Sequence, residues 1–318
     1  MLYEGLEDKL FASIPGSWRL VRCGSCRAGY LDPRPTRDAI GAAYANYFAR
    51  GQAADAPAPA SSWREALRNG YLNRRFGYSF RPASRLGPFV LPLFPKRRWS
   101  AAAKVRELPR PSARPQLLDV GFGDASFLRA MRGAGWEVAG LEPDPAAVDA
   151  ARGLGLEVAQ GTLETAPYEP ASFDAITLSH VIEHLHDPVR ALRTCFTLLR
   201  PSGVLWLATP NVDSPAHRRF RDHWFGLDPP RHLVLFSRSA LDQSLGVAGF
   251  ARPTWLRSYR GELVVAASEA LAEGRDAASA WTPRSRRSRN LARAFDVAAA
   301  LRPEWGEELA VIARKRRD

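Results

Sequence analysis

The sequence predicts an α/β fold, a doubly wound and mostly parallel sheet, on two observations. Between residues 115 and 260 short β-branched or apolar runs alternate with helical stretches, and the first run ends in a glycine turn that opens a helix. The strand candidates in order are Gln116–Val120, Glu137–Leu141, Glu157–Gln160, Asp174–Ser179, Gly203–Thr209 and Pro253–Ser258, with a helix expected after each of the first five. A last run, Glu307–Arg314, follows a largely helical insertion at about 261–305 that carries the basic Arg284–Arg293 face. The 318 residues, 46% hydrophobic and 25% charged, suit one large domain with appendages or two domains.

Upstream, residues 1–50 read as a small module. It has a CxxC at Cys23 and Cys26, a turn at Asp32-Pro33-Arg34-Pro35, and a helix capped by Thr36 with Ile40, Tyr44 and Tyr47 on one face. Residues 51–62, small and Pro-rich, read as a linker, 63–114 as a basic helical segment and 115–318 as the main domain. The net charge of +12 is concentrated: residues 63–114 hold thirteen Lys and Arg against two Asp and Glu, while 115–260 are slightly acidic. Three cysteines cannot make a disulfide framework and no leader-like run opens the chain, so a cytoplasmic location is the expectation. Leu86–Pro95 is uncharged, but its three prolines and its length of about ten residues exclude a membrane span.

In Leu117-Leu-Asp-Val-Gly-Phe-Gly-Asp-Ala-Ser-Phe-Leu128, Gly121 and Gly123 let the backbone turn sharply and approach a ligand, with free N–H groups of the helix start facing it. Glu142 closes the next strand, 21 residues after Gly121, and suits the two hydroxyls of a ribose. A dinucleotide fold shares both features, but Ser126 stands where its third glycine belongs.

With Gly140-Leu-Glu-Pro-Asp-Pro145, Gly161-Thr-Leu-Glu164, Ser172-Phe-Asp-Ala-Ile-Thr-Leu-Ser-His-Val-Ile-Glu-His-Leu-His-Asp-Pro188 and Leu198-Leu-Arg-Pro-Ser-Gly203, the chain resembles the class I S-adenosylmethionine-dependent methyltransferases. The resemblance implies a Rossmann-like seven-stranded sheet whose late strand at 307–314 is antiparallel. It implies that Asp119, Gly121 and Gly123 meet the methionine part of the cofactor, with Phe122 in the same loop. Glu142 would meet the ribose, Thr162 and Leu163 the adenine edge, and Ser179 the floor near the methyl group. Ala125 stands where the family often has glycine.

A sulfonium methyl is already activated, so the protein must align it, exclude water and remove a proton from the acceptor. His180, Glu183 and His184, spaced i, i+3, i+4, are expected on one face of the helix after the fourth strand, and His232 follows the fifth. Three readings stand open: a divalent metal site, a metal-free general base at His180 or else His232, and a structural role. The set resembles the Glu-x-x-Glu-His plus His metal site of small-RNA 2′-O-methyltransferases and the related motif of ubiquinone-pathway O-methyltransferases, with His180 replacing the first glutamate. Asn211, after the fifth strand, and Arg231, beside His232, are the substrate candidates.

Cys23 and Cys26 form half a zinc site, since residues 1–60 contain no further Cys or His. Some methyltransferases resembling this one carry an earlier CxxC about twenty-odd residues upstream, so the expectation is that either the start is internal to a longer frame or the ribbon has decayed. The segment 63–114 interleaves arginines and aromatics, and is expected to cap the active site, to touch anionic lipid through 86–99, to bind RNA phosphates, or to be a plain solvated face. The lipid reading would put the protein at the inner face of the membrane. The expected function is methyl transfer to an oxygen of a small molecule, lipid-linked precursor or glycan. The alternatives are an RNA methyltransferase and a binding module without catalysis.

Overall fold

A computed structural model describes residues 1–44, 63–110, 114–277, 280 and 282–316; the expected linker 51–62 and Tyr47 lie outside them. The described strands are β1 (Tyr3–Leu6), β2 (Trp18–Arg22), β3 (Gly29–Leu31), β4 (Gln116–Val120), β5 (Glu137–Glu142), β6 (Glu157–Gln160), β7 (Phe173–Ser179), β8 (Leu199–Pro210), β9 (Val234–Leu235), β10 (Thr254–Leu256) and β11 (Glu308–Arg314). The described helices are α1 (Trp63–Phe76), α2 (Gly87–Val90), α3 (Pro95–Ala103), α4 (Ser126–Gly133), α5 (Pro145–Gly153), α6 (Pro188–Leu198), α7 (Pro215–Phe220), α8 (Arg238–Val247), α9 (Gly261–Ala272) and α10 (Arg286–Leu301).

Seven strands form one sheet in the order β10-β11-β8-β7-β4-β5-β6. The β4–β5, β5–β6 and β4–β7 ladders are parallel and β10 pairs with β11 antiparallel, as the sequence predicts. Helices α9 and α10 supply the expected insertion. One expected helix is missing: residues 161–172, after β6, contain no α-helix. Pro167 and Pro170 explain this, since each removes a backbone donor and clashes with a preceding helical turn.

The chain divides into two compact units. One comprises Ala53–Leu178, Thr194–Trp206 and Arg314–Asp318. There β4 is buried on both faces, through Leu117, Leu118, Asp119 and Val120, as a central parallel strand must be. Gly140 of β5 is required by close approach, because a Cβ there would lie 2.6 Å from the Phe122 ring and 2.8 Å from Leu128.

The other unit comprises Met1–Gln52, Ser179–Arg193 and Leu207–Ala313. The meander β1-β2-β3 is completed by β9, through Gly29↔Leu235 and Tyr30↔Val234. Leu6, Trp18, Leu20 and Leu31 share a core with Val212, Trp224, Leu235 and Val264. The N-terminal strands therefore bury their apolar face against residues from far downstream rather than within their own segment.

Candidate active site

In the unit that holds β4, the chain leaves that strand through Gly121 and Gly123, both left-handed at φ +68° and +57°. The Gly121 amide donates to Leu141 O at 2.8 Å, closing the turn onto β5. Glu142 caps the loop: its Oε2 accepts from the Gly123 amide at 3.1 Å and its Oε1 from the Asp144 amide at 3.2 Å. Burial raises the Glu142 carboxyl above its ordinary range, and those two amides pull the other way. Gly161 donates to Glu142 O at 3.0 Å, which brings Thr162, exposed, and Leu163, buried, to the same strand ends. The Phe122 side chain turns inward over Gly140, so only its backbone remains in the loop. Ala125 is left-handed at φ +58°, and its methyl is accommodated in the buried turn.

Asp119 is buried, and its Oδ1 accepts from Thr177 Oγ at 2.7 Å and from the Arg106 guanidinium. Its Oδ2 has no hydrogen-bond partner among the described residues. Arg106 lies 3.6 Å above the Phe127 ring and 5.1 Å from that of Trp206, at the end of a segment where Arg106 and Glu107 both have positive φ. Sequence reasoning missed Arg106, one of thirteen cations in 63–114 with nothing local to single it out.

In the other unit, His180, Glu183, His184 and His232 come together, but not on an α-helix. Residues Ile182–His184 form a single 3-10 turn, and His180 precedes it in the left-handed region at φ +54°. This backbone brings His180 Nδ1 to 3.3 Å from Glu183 Oε1, while His180 Nε2 is 2.9 Å from Glu308 Oε2. Glu308 also accepts from Ser258 Oγ at 2.5 Å and pairs with Arg260 at 3.3 Å. Burial opposes a charge on His180, but the two carboxylates outweigh it and lift the imidazole to about 9. The ring is 40% exposed, so solvent screens part of that pairing.

Glu183 is fully buried. Burial alone would raise its carboxyl, but His180, His184 and His232 outweigh it and hold the group at about 2. Thr209 Oγ donates to its Oε2 at 2.9 Å, whereas Oε1 accepts no well-aligned hydrogen bond. Burial and the adjacent His232 push His184 down to about 4, leaving it neutral at pH 7. His184 Nδ1 lies 3.1 Å from Arg231 O, and His232 Nδ1 lies 2.9 Å from Gly226 O. A carbonyl only accepts, so each Nδ1 facing one carries a proton, with the Tyr44 hydroxyl 3.0 Å from the same His184 nitrogen, and the neutral His184 ring keeps an Nε2 lone pair.

The two substrate candidates occupy other roles. Asn211 is fully buried, its Nδ2 donating to Glu304 O and Gly306 O and its Oδ1 accepting from the Asp213 amide. Arg231 is fully buried, bonded to Asp8, Asp228 and Ala43 O, with its guanidinium 4.4 Å from the Phe11 ring. No N–H of Arg231 is left for a substrate, because two carboxylates and a carbonyl take all five. Cys23 and Cys26 sit on the β2–β3 turn, where the Arg27 amide donates to Cys23 O and Ser237 and Ser239 donate to Cys26 O. Among the described residues the one cluster of three or more metal-ligating side chains is Glu183, His184 and His232, so the cysteines gain no further ligand there.

Glu307, beside Glu308 on β11, carries a buried carboxyl whose Oε2 has no hydrogen-bond partner among the described residues. Burial pushes it to about 7, against the pull of Ser214 and the Ala216 amide. The folded state thus binds a proton that the unfolded chain has released, and stability falls as pH rises from about 4.5 to about 7, by roughly 3 kcal/mol. Glu307→Gln is expected to flatten that slope and to stabilise the protein above pH 7, read from urea unfolding at a series of pH values.

The strand order, the glycine turn after β4 and the acidic residue of β5 that caps it define an S-adenosylmethionine-dependent methyltransferase. A family model described as a methyltransferase domain matches residues 94–252. The chain belongs to this methyltransferase family. It is similar to a ubiquinone biosynthesis O-methyltransferase of Xanthomonas campestris pv. campestris, 37% identical over 171 residues that cover 47% of this chain and 71% of that protein. The protein of the same name from Xanthomonas oryzae pv. oryzae is 35% identical over 166 residues, 46% of this chain and 70% of that one. A solved S-adenosylmethionine-dependent methyltransferase from Archaeoglobus fulgidus aligns with a TM-score of 0.45 at 18% identity, covering 77% of this chain and 98% of that one.

Proposed function

We propose that this methyltransferase acts on a hydroxyl oxygen of a small or lipid-linked acceptor and that Glu183, His184 and His232 hold a divalent cation. The observation that carries the reading is the Glu183–His184–His232 cluster, in which one ligand atom from each residue lies within 4.8 Å of the others. The neutral His184 imidazole, the His232 imidazole and an ionised Glu183 carboxylate are a donor set that suits a borderline divalent metal. The Nδ1–H bonds to Arg231 O and Gly226 O are the outer contacts that fix metal-binding histidines in the needed tautomer. A bound cation supplies a lowered pKa at the acceptor hydroxyl. The relatives' printed names point to oxygen as the acceptor atom.

His180, lifted to about 9 by Glu183 and Glu308, keeps its proton at neutral pH, which favours an orienting cation over a general base. On the cofactor side, Gly121, the Phe122 backbone and Gly123 are assigned to the methionine part, Glu142 to the ribose, Thr162 and Leu163 to the adenine edge, and Ser179 to the methyl group. Arg106 is added to this set as the partner of the methionine carboxylate, with the free Asp119 Oδ2 for the ammonium. Cys23 and Cys26 are read as half a zinc knuckle. A lipid-linked acceptor fits a chain whose segment 86–99 exposes apolar and basic groups together.

Transfer of labelled methyl groups into the small-molecule and lipid fractions of a cell extract, before and after chelation, tests the reading. Chelation is expected to cut transfer by about a hundredfold or more, and added Mg, Mn or Zn to restore it. Unchanged transfer after chelation removes the cation, and no transfer into either fraction removes the acceptor class.

A further inference from the structure

Between residues 66 and 106 the sequence contains ten Lys and Arg and no Asp or Glu. The structure turns part of this segment into an outward stripe. Gly70 of α1 and Gly87 of α2 let the backbone of 84–87 lie directly on α1: a Cβ at Gly70 would sit 1.9 Å from Ser84 O, and one at Gly87 2.0 Å from Leu67 O. With Gly87 and Leu91 facing inward, Leu86, Phe89 and Leu93 point to solvent at 64%, 75% and 74% exposure. Their i, i+3, i+7 spacing puts them on one face of the helical turns, and leaving three large apolar side chains together in water is unfavourable without a partner.

Beside the stripe runs a groove lined by Tyr71, Arg74, Arg75, Pro88, Pro92 and Arg98. Among the described residues no carboxylate lies within ion-pair distance of Arg74, Arg75 or Arg98. Glu107 acts on Arg75 and Arg98 electrostatically, and burial raises its own carboxyl. The groove is thus an arginine-lined recess open to an anion, adjoining an apolar stripe of the size that enters the boundary between lipid headgroups and chains.

We propose that this surface docks the protein on a membrane containing anionic phospholipid, Leu86, Phe89 and Leu93 entering the interface and the Arg74–Arg75–Arg98 groove receiving a headgroup phosphate. Apolar residues at the centre with cations at the rim match an anionic bilayer better than RNA, which would call for aromatic faces set among the cations rather than aliphatic Leu86 and Leu93. No described helix is long and apolar enough to cross a membrane, so the contact is interfacial. The proposal does not depend on the acceptor, since it is read by binding alone.

Co-sedimentation of the full chain with vesicles of phosphatidylcholine, with and without phosphatidylglycerol, tests it. Binding is expected with phosphatidylglycerol only and should weaken with salt. Arg74→Gln/Arg75→Gln/Arg98→Gln should weaken it by about a hundredfold, at about fivefold per cation. Phe89→Glu/Leu93→Glu should weaken it by at least about tenfold while leaving the thermal midpoint unchanged, as expected for exposed positions. Equal binding of the Phe89→Glu/Leu93→Glu variant would overturn the insertion. Loss of vesicle binding on adding inorganic phosphate at modest concentration would reduce the groove to a free-anion site. Tighter binding of an RNA oligonucleotide that displaces the vesicles would assign the surface to RNA instead.

Discussion

Arg231→Ala is expected to cost about 3–5 kcal/mol of stability, because it strands two buried carboxylates around an empty cavity. Asp8 and Asp228 bind opposite sides of the guanidinium, which also holds Ala43 O and lies over Phe11. The arginine joins residues 8 and 43 of the N-terminal segment to the 228–232 turn within one compact unit. Its backbone carbonyl meanwhile meets the His184 ring, so a shift of this turn should reach the Glu183–His184–His232 cluster as well. Arg231→Lys should not rescue it, since one ammonium cannot reproduce five N–H groups in a planar fork. Burial would raise the Asp8 carboxyl, but Arg231 and the amides of Ser13 and Phe11 outweigh it and hold the group below its ordinary 3.8. That contribution is therefore present above about pH 3.8 and is lost as pH falls through the depressed value. Urea unfolding followed by tryptophan fluorescence measures the cost, and the Asp8→Asn/Arg231→Met double variant, which removes the stranded charge, should recover part of it. An Arg231→Ala protein that unfolds like the parent yet fails to transfer methyl groups would return this residue to the substrate site.

The same residue shows where the sequence stopped being readable. Arg231 stands next to His232 in a motif that invites a functional reading, and its role depends on Asp8, 223 positions away in sequence. No local pattern encodes a partner at that distance. The strands of the large sheet were legible because β-branched and apolar runs bounded by Gly and Pro are short-range signals. The turn after β4 was legible for a related reason: Gly121 and Gly123 both take a positive φ, which glycine adopts at least cost, and such residues stand out in a sequence. The histidine cluster was legible as a composition but not as a geometry. The i, i+3, i+4 spacing implies an α-helical face, whereas His180 reaches Glu183 through a left-handed residue ahead of a 3-10 turn. Glu308, its second partner, lay hidden as one of two acids at the start of an ordinary strand. Pro167 and Pro170, by contrast, were visible throughout and argue against the helix expected after β6.

Glu142→Ala is expected to weaken cofactor binding by about a hundredfold or more, as two charge-assisted hydrogen bonds are worth about 3 kcal/mol or more together. The residue does two things at once. One lone pair on each oxygen holds a backbone amide, Gly123 on one side and Asp144 on the other, and the remaining lone pairs are free for ribose hydroxyls. Removing it is therefore expected to loosen the loop as well as to delete the proposed ribose contact. Calorimetric titration with S-adenosylhomocysteine and with methylthioadenosine, which lacks the amino-acid part, separates this from a general loss of fold. Glu142→Ala should weaken both ligands, because both carry the ribose. Arg106→Gln should weaken S-adenosylhomocysteine by about tenfold or more and leave methylthioadenosine unchanged, because the contact assigned to Arg106 is the carboxylate that only the first ligand has. Burial raises the Glu142 carboxyl, so its grip should fade on acidification at a higher pH than for a solvated glutamate, and ribose-dependent affinity should fall with it. An Arg106→Gln protein that loses both ligands equally would make that residue a structural clamp on Asp119. A Glu142→Ala protein that keeps both would remove the ribose contact, and with it the strongest residue-level support for where the cofactor lies.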